Sequence, residues 1–538
     1  MRHDRLCNGH REELIISNIR VPPVAVYIAV AAGLVLATVI LRGQAISEWG
    51  LLNPDEAELI VQARAALLSP VPFSTWATGT TGPYWVLFLA GLGALGAPLT
   101  LAFAHLLSAV LLALSAAALF VTASRAIGRR AALVATLVWW LPIATTVLVG
   151  DAVNFDTLST EYLPTLLVLA SALVPREQLA SKPWLFAILG LMAGLAVGAK
   201  FQVAPLAAAF VAAQLIVLDT SVRRIFVSLL WWVGGAVLPL TAIVLVMVVS
   251  PTTNWALVEQ TLTFLGSYGG DRTQLQRFTS TLAALIKPTF YLLVGLGGLA
   301  WLGRHSARRS NVARVILILG GFTAVLIGGM GFPHYLIIYF GAVALAATMP
   351  VRPNVRLFPQ QLSAAALAGV LTLVTAVLVL FGYAVAKSPP LSPENAVAAF
   401  SGNSVNRNSA LARACPPGSR ALVWGWAAEL YVAQDWQSTM PYLNVLGLST
   451  SPANRKAAEP IVRTGIDRAD CVVDATSIKR PACRSDRLEP RVSYCNLSES
   501  SLPRVYPNLA ALTEQQFHAV PVTGNCEGCT LYVRNESS

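Results

Sequence analysis

Apolar runs recur from residue 24 to residue 384 of this chain, and they constrain its fold more than any other feature. Of its 538 residues, 55% are hydrophobic and 12% charged. A water-soluble chain of this size has too much surface to hide that much apolar area. Many of the runs approach the length that crosses about 30 Å of hydrocarbon. The expectation is a polytopic membrane protein. The net charge of +11 is then no nucleic-acid footprint, because Arg and Lys collect in short loops that stay on the cytoplasmic side. Such loops are 124–130, 175–183, 219–224, 303–314 and 351–356.

Threading the chain between them assigns spans at roughly 24–41, 99–120, 131–149, 162–174, 184–199, 201–218, 225–249, 283–302, 315–330, 336–349 and 361–384. This is an all-α domain of about eleven transmembrane helices. The polar lead 1–23 lies inside, and the first span follows it as an anchor with no cleavable signal. The stretch "PYWVLFLAGLGALGAP" is short and rich in glycine, so it reads as an interfacial or re-entrant helix. Crossing there would put the basic loop 124–130 outside, against the charge rule. The outer loops are then 42–98, 150–161 and 250–282, the last read as flexible and polar around "GSYGGDRTQLQR".

Residues 385–538 form an outer tail, opened by a proline-rich linker. "SRALVWGW", "CVVDA" and "TLYVR" read as strands, and an α/β domain is expected. One of the seven cysteines is in the lead. The other six, Cys415, Cys471, Cys483, Cys495, Cys526 and Cys529, are all in the tail. Their number and place fit disulfides in an oxidising compartment, with the pairing open. The C-x-x-C at 526–529 leaves redox or metal chemistry as an alternative.

Charged residues in so apolar a chain are the candidate site. "NPDEAELIVQARAALLS" places Asp55, Glu56 and Glu58 just beyond the first span. Asn53 as N-cap, Pro54 at the first helical position and Glu56 at N3 make a capping box. An interfacial amphipathic helix follows, and Glu58 fits a solvated surface charge. Asp55 is either a first-turn dipole partner or a catalytic acid at a cavity mouth. A second acidic loop carries Asp156 and Glu161 where a span begins, and ionisable groups at that depth are costly and usually functional. Lys200, between two apolar segments, needs an anion. That anion is a phosphate or, as a structural pair, Asp156 or Glu161. His105, His334 and Tyr335 lie at outer helix ends, Tyr84 in the interfacial stretch, and Arg272 in the 250–282 loop.

In order, "LLNPDEAELIVQARAALLSPVPF", "TGPYWVLFLAGLGALGAP", "NFDTLSTEYLP", "GAKFQVAP" and "GFPHYLIIYF" resemble the outer-loop motifs of the GT-C membrane glycosyltransferases. The likeness is to the protein O-mannosyltransferase and aminoarabinose-transferase-like branch. "ALVWGWAAELYVAQDW" resembles a tail stretch of bacterial relatives. The resemblance implies a GT-C membrane domain with a C-terminal extracytoplasmic α/β domain, in a bacterial inner membrane. It also implies transfer of a sugar, with inversion, from a polyprenyl-phosphate donor to an envelope glycan, lipid or protein. On matching positions, Asp55 is the general base, assisted by Asp156 and next to Glu56. Lys200, His334, His105 and Tyr335 face the donor phosphate, and Glu161, Tyr84 and Arg272 the substrates. A divalent cation, Mg or Mn, is an option at Asp55 and Asp156. The chain departs from the pattern at His105, where relatives often carry Arg. It departs again at Thr81 and Gly82, where they carry Lys or an acid, and in its cysteine-rich tail. A monomer is expected, with no nucleic-acid partner. The rival readings are a lipid-linked sugar transporter or flippase and a non-catalytic envelope scaffold. Transporters show paired repeats, and none is seen here.

Overall fold

In the computed structural model the described residues are 23–43, 46, 53–145, 155–218, 221–267, 273–286, 289–328, 332–351, 409–441, 443, 452–477, 501–520, 522 and 529–535. Helices follow one another through the first part of the chain. They are α1 (Pro23–Leu41), α2 (Pro54–Leu68), α3 (Pro83–Ala94), α4 (Leu101–Ile127), α5 (Arg129–Thr145), α6 (Tyr162–Ser171), α7 (Phe186–Ala199), α8 (Ala204–Leu218), α9 (Val222–Val249), α10 (Trp255–Ser267), α11 (Gln274–Ile286), α12 (Thr289–Arg304), α13 (Arg308–Gly328) and α14 (Leu336–Ala347).

Five segments among the described residues are long and apolar enough to cross a membrane: Val24–Leu41, Leu101–Ile127, Phe201–Leu218, Val222–Val249 and Arg308–Gly328. Four shorter apolar segments, Pro83–Ala94, Tyr162–Ser171, Pro183–Ala199 and Pro333–Ala347, accompany them. The protein is thus a multi-pass, largely helical membrane protein. The expected span 361–384 lies outside the described residues. Along α9, Val222, Phe226, Leu230, Leu238 and Val249 are exposed, as a lipid-facing surface requires. The loop 250–282 is less irregular than expected, since α10 and most of α11 lie within it.

Small residues let the inner helices approach closely. A Cβ on Gly82 would lie 2.0 Å from the Gly198 carbonyl oxygen. The Gly82 N–H donates to the Ala199 carbonyl at 2.7 Å. The start of α3 is therefore locked against the end of α7, and Lys200 is the next residue.

The tail folds as expected into an α/β layer. Its sheet has the order β2-β1-β3-β5-β4, from β1 (Arg420–Trp424), β2 (Gln437–Ser438), β3 (Cys471–Asp474), β4 (Phe517–Val520) and β5 (Thr530–Arg534). β1 runs parallel to β2 and β3, whereas β5 is antiparallel to β3 and β4. Helices α15 (Glu429–Gln434), α16 (Pro452–Arg468) and α17 (Pro507–Gln516) alternate with the strands. Cys415 and Cys471, 56 residues apart, form a buried disulfide that ties the segment before β1 to β3. Cys529 is also disulfide-bonded. Cys483, Cys495 and Cys526 lie outside the described residues. Closing a loop of this length is worth about 2–4 kcal/mol. Cys471→Ala is therefore expected to lower the thermal midpoint of the tail's unfolding, read as loss of protease resistance with temperature.

Candidate functional site

Asn53 starts α2 by accepting a hydrogen bond from the Asp55 N–H at 3.0 Å. Its amide also donates to the Thr157 hydroxyl at 3.0 Å, which fastens the second acidic loop to the first. The expected capping box is not formed. Glu56 is fully buried, accepting from the Leu158 N–H at 2.8 Å and meeting His105 Nε2 at 2.9 Å. Facing α4 rather than its own helix start, Glu56 joins α2, α4 and the second loop. His105 is committed to the same contact.

Asp156 is held by a residue that sequence reasoning passed over. Arg42, buried just after α1, lies 3.4 Å from its carboxylate. Arg42 also donates to Ser108 Oγ, the Ile143 carbonyl and the Tyr162 hydroxyl at 2.9–3.0 Å. It stands at the end of an apolar run, where basic residues ordinarily mark a span boundary.

Lys200 pairs with Glu161, not Asp156. Its Nζ is 2.9 Å from Glu161 Oε1 and 2.5 Å from the Thr160 hydroxyl, and it sits 5.4 Å from the Tyr335 ring centroid. Both members of the pair are buried. The Trp85 indole donates to the Thr160 carbonyl at 2.8 Å, so α3 fixes this loop as well. Tyr335 packs edge-on to His334, which stacks on Phe332. Tyr84 bonds the Pro239 carbonyl at 2.5 Å and presses against Gly198. Arg272 lies outside the described residues.

Asp55 faces this buried charge group. Burial pushes its carboxyl above the usual range, His334 and Lys200 pull it down, and Glu161 pushes it up. The Trp426 indole of the tail domain favours the charged form too. Glu161 shows the opposite balance. Burial raises it, but Lys200, His334 and the hydrogen bonds from Lys200 and Thr160 outweigh that, leaving it below the usual range.

Glu58, expected as a solvated charge, is half-buried instead. It accepts from the Gln62 amide at 2.9 Å, and that amide also donates to the Ala77 carbonyl at 2.8 Å. Burial first, and then the neighbouring Asp55 charge, push Glu58 up to about 8 against the opposing Gln62 bond and Lys200. A carboxyl raised on folding keeps a proton that the unfolded chain has released. Glu58 therefore costs stability as pH rises from about 4.5 towards 8. Glu58→Gln is expected to flatten the upper part of that slope in thermal-midpoint measurements across pH.

Asp55 and Asp156, the option for a divalent cation, each face cationic groups. Asp156 faces Arg42, and Asp55 faces Lys200 and His334. A divalent ion would add charge where cationic groups already stand. Among the described residues no group of three or more His, Cys, Asp or Glu is arranged to hold a metal.

With this geometry in place, the chain can be set beside known proteins. No family profile and no curated protein matches it. It superposes on ArnT from Cupriavidus metallidurans bound to undecaprenyl phosphate with a TM-score of 0.53 at 14% identity. That alignment covers 96% of this chain and 98% of that one. The apo state of ArnT gives 0.50 at 15% identity over 96% and 98%. The archaeal oligosaccharyltransferase AglB from Archaeoglobus fulgidus aligns over 95% of this chain and 74% of that one, at 13% identity and a TM-score of 0.46. The chain shares its fold with ArnT.

Proposed function

We propose that this protein is an inverting glycosyltransferase that moves a sugar from a polyprenyl-phosphate donor to an extracytoplasmic acceptor. The observation that carries the reading is Asp55: an acid on an interfacial helix, facing a buried lysine and histidine in a fold shared with ArnT. A carboxylate there serves as general base, and a cationic wall beside it suits a departing phosphate.

The reaction is a direct displacement. The acceptor hydroxyl oxygen forms a bond to C1 of the donor sugar while its proton passes to the Asp55 carboxylate. The bond from C1 to the phosphate oxygen breaks, and its electron pair leaves on the phosphate. Lys200 has three N–H donors, of which Thr160 and Glu161 engage two. The third is assigned to the phosphate, with His334 beside it. Glu56, His105, Asp156 and Arg42 brace the two loops. The N-terminus is assigned to the cytoplasm, with the site and tail domain on the opposite side.

The test is transfer by the purified full chain in lipid nanodiscs, given radiolabelled undecaprenyl-phosphate sugars and an envelope extract. Label leaving the lipid for a larger or water-soluble product supports the reading. Labelled lipid that crosses the bilayer of proteoliposomes intact, with no transfer, replaces it with the transporter.

A further inference from the structure

A second group of charges lies inside the helix bundle, at the end away from Asp55. Four helices connect the two ends. Helix α6 starts beside Glu161, α8 soon after Lys200, and α14 just after Tyr335. Helix α13 ends at Gly328, where a Cβ would meet the Tyr335 ring at 2.4 Å. Followed away from the candidate site, these helices lead to Arg176, Gln214, Met349 and Arg314.

Arg176 opens the short helix Arg176–Ser181. Its Nε donates to Gln214 Oε1 at 2.9 Å. Its Nη2 donates to the Thr348 carbonyl at 3.1 Å and lies 3.8 Å from Met349 Sδ. Arg314 Nε donates to the Ala346 carbonyl at 3.2 Å, and its Nη2 to the Met349 carbonyl at 2.8 Å. Its Nη1 donates to Asn311 Oδ1 at 2.8 Å. Two guanidiniums thus converge on the last carbonyls of α14. A helix end attracts cations, but it carries only about −0.5 of an elementary charge, which does not balance two of them.

The other buried cations of the bundle are matched. Arg42 lies against Asp156 and Lys200 against Glu161. Among the described residues no carboxylate lies within ion-pair distance of Arg176 or Arg314. Glu177, next to them, is exposed. Burial pushes the Arg176 guanidinium down to about 10; Glu177 opposes that fall and the charge of Arg314 adds to it. Cations withdrawn from water without a counter-charge are costly, so the pair calls for an anion from outside the chain.

The pair is also reachable. Arg314 is buried, but Arg176 and Asn311 are only half-buried. Arg176 Nη1 carries two N–H groups that no described residue accepts. Beside the pair, Val312, Val315 and Leu319 stand exposed at helical spacing on α13. Trp184, packed next to the short helix, is exposed as well. Lys182, Arg308 and Arg309 are exposed at the same end. Outward apolar side chains beside cations between helices suit a phospholipid, with its acyl chains on the first and its phosphate on the second.

We propose that Arg176 and Arg314 bind the phosphate of an anionic phospholipid in the leaflet away from Asp55, with Arg176 Nη1 donating to it. The site is separate from the sugar-transfer reading and does not depend on it. A free phosphate would meet the charges but leave the apolar face of α13 unused.

The test uses the full chain in a neutral detergent, stripped of lipid. It is titrated with dioleoyl-phosphatidylglycerol, dioleoyl-phosphatidylcholine and inorganic phosphate. Native mass spectrometry counts bound lipid, and the thermal midpoint is read on the same samples. Phosphatidylglycerol is expected to bind about tenfold or more tighter than phosphatidylcholine and to raise the midpoint. Arg176→Gln should weaken it about tenfold, as loss of a hydrogen bond to a charged group does, and Arg176→Lys should recover part of that. Arg130→Gln removes an exposed charge at the same end and should change the affinity less than about twofold. Equal binding of the two lipids by the wild type overturns the proposal, and that comparison needs no variant to fold. An unchanged phosphatidylglycerol affinity in Arg176→Gln overturns it too, and with a lowered midpoint it makes the arginines helix caps alone. An equal loss in Arg130→Gln would reduce the attraction to general surface charge. Inorganic phosphate raising the midpoint as far as the lipid does would make this a site for a soluble anion. Either of those results also overturns the proposal.

Discussion

Asp55→Asn is expected to lower sugar transfer by about 10²–10⁴-fold while the protein stays folded. The structure separates the two roles of this residue. Its backbone N–H donates to the capping Asn53 Oδ1, and that bond does not depend on the Asp55 side chain. Its carboxylate faces His334, Lys200 and Trp426 instead. An amide cannot accept the acceptor's proton, so the chemical step is lost. Stability moves the other way. The carboxyl is raised on folding, so the charged form costs stability above the unfolded value of 3.8, and the neutral amide escapes that cost. A thermal midpoint at neutral pH that is equal to or above the wild type's, together with lost turnover, is the expected pair of results.

Lys200→Met should produce a large effect of a different kind. It strands Glu161 in a fully buried position, with Thr160 as its hydrogen-bond partner and the charge of His334 nearby. Breaking such a pair on one side costs about 3–5 kcal/mol, whereas removing both charges costs far less. The single variant should therefore unfold at a clearly lower temperature. Lys200→Met with Glu161→Gln should regain most of that stability. Neither variant should regain affinity for undecaprenyl phosphate, because the donor for the phosphate is gone in both. Recovery of binding along with stability would show that Lys200 acts only through Glu161.

The helix that begins at Asn53 shows what a sequence can and cannot convey. Its start was legible from Asn53 and Pro54, because capping is local chemistry. The fates of its three acids were not. Residues 55, 58 and 62 share one face at helical spacing, and that face meets the charged group and the Ala77 turn. Glu56 points elsewhere, into α4 and the second loop. Which face meets which neighbour is decided by packing, and the capping-box spacing pointed to the bland partner.

Arg42 and Trp426 were missed for a related reason. Each contacts residues far along the chain, and its neighbours in sequence do not reveal those contacts. Lys200 was legible as needing an anion, since an ammonium in an apolar stretch must find one. Choosing Glu161 over Asp156 required seeing Arg42 occupy the other acid. The tail strands were readable because short apolar runs stood between turn residues. The helix Gln274–Ile286 was readable too, from Leu275, Phe278, Leu282 and Leu285 at helical spacing, but the neighbouring glycines drew attention to a loop.

Direct displacement at C1 with Asp55 as base can be followed with an undecaprenyl-phosphate sugar labelled with carbon-13 at C1, reading the anomeric carbon by NMR during a single turnover. A product signal of inverted anomeric configuration is expected in the wild type, formed about 10²–10⁴-fold more slowly in Asp55→Asn. A product of retained configuration, or an inverted product formed as fast by Asp55→Asn, would contradict it.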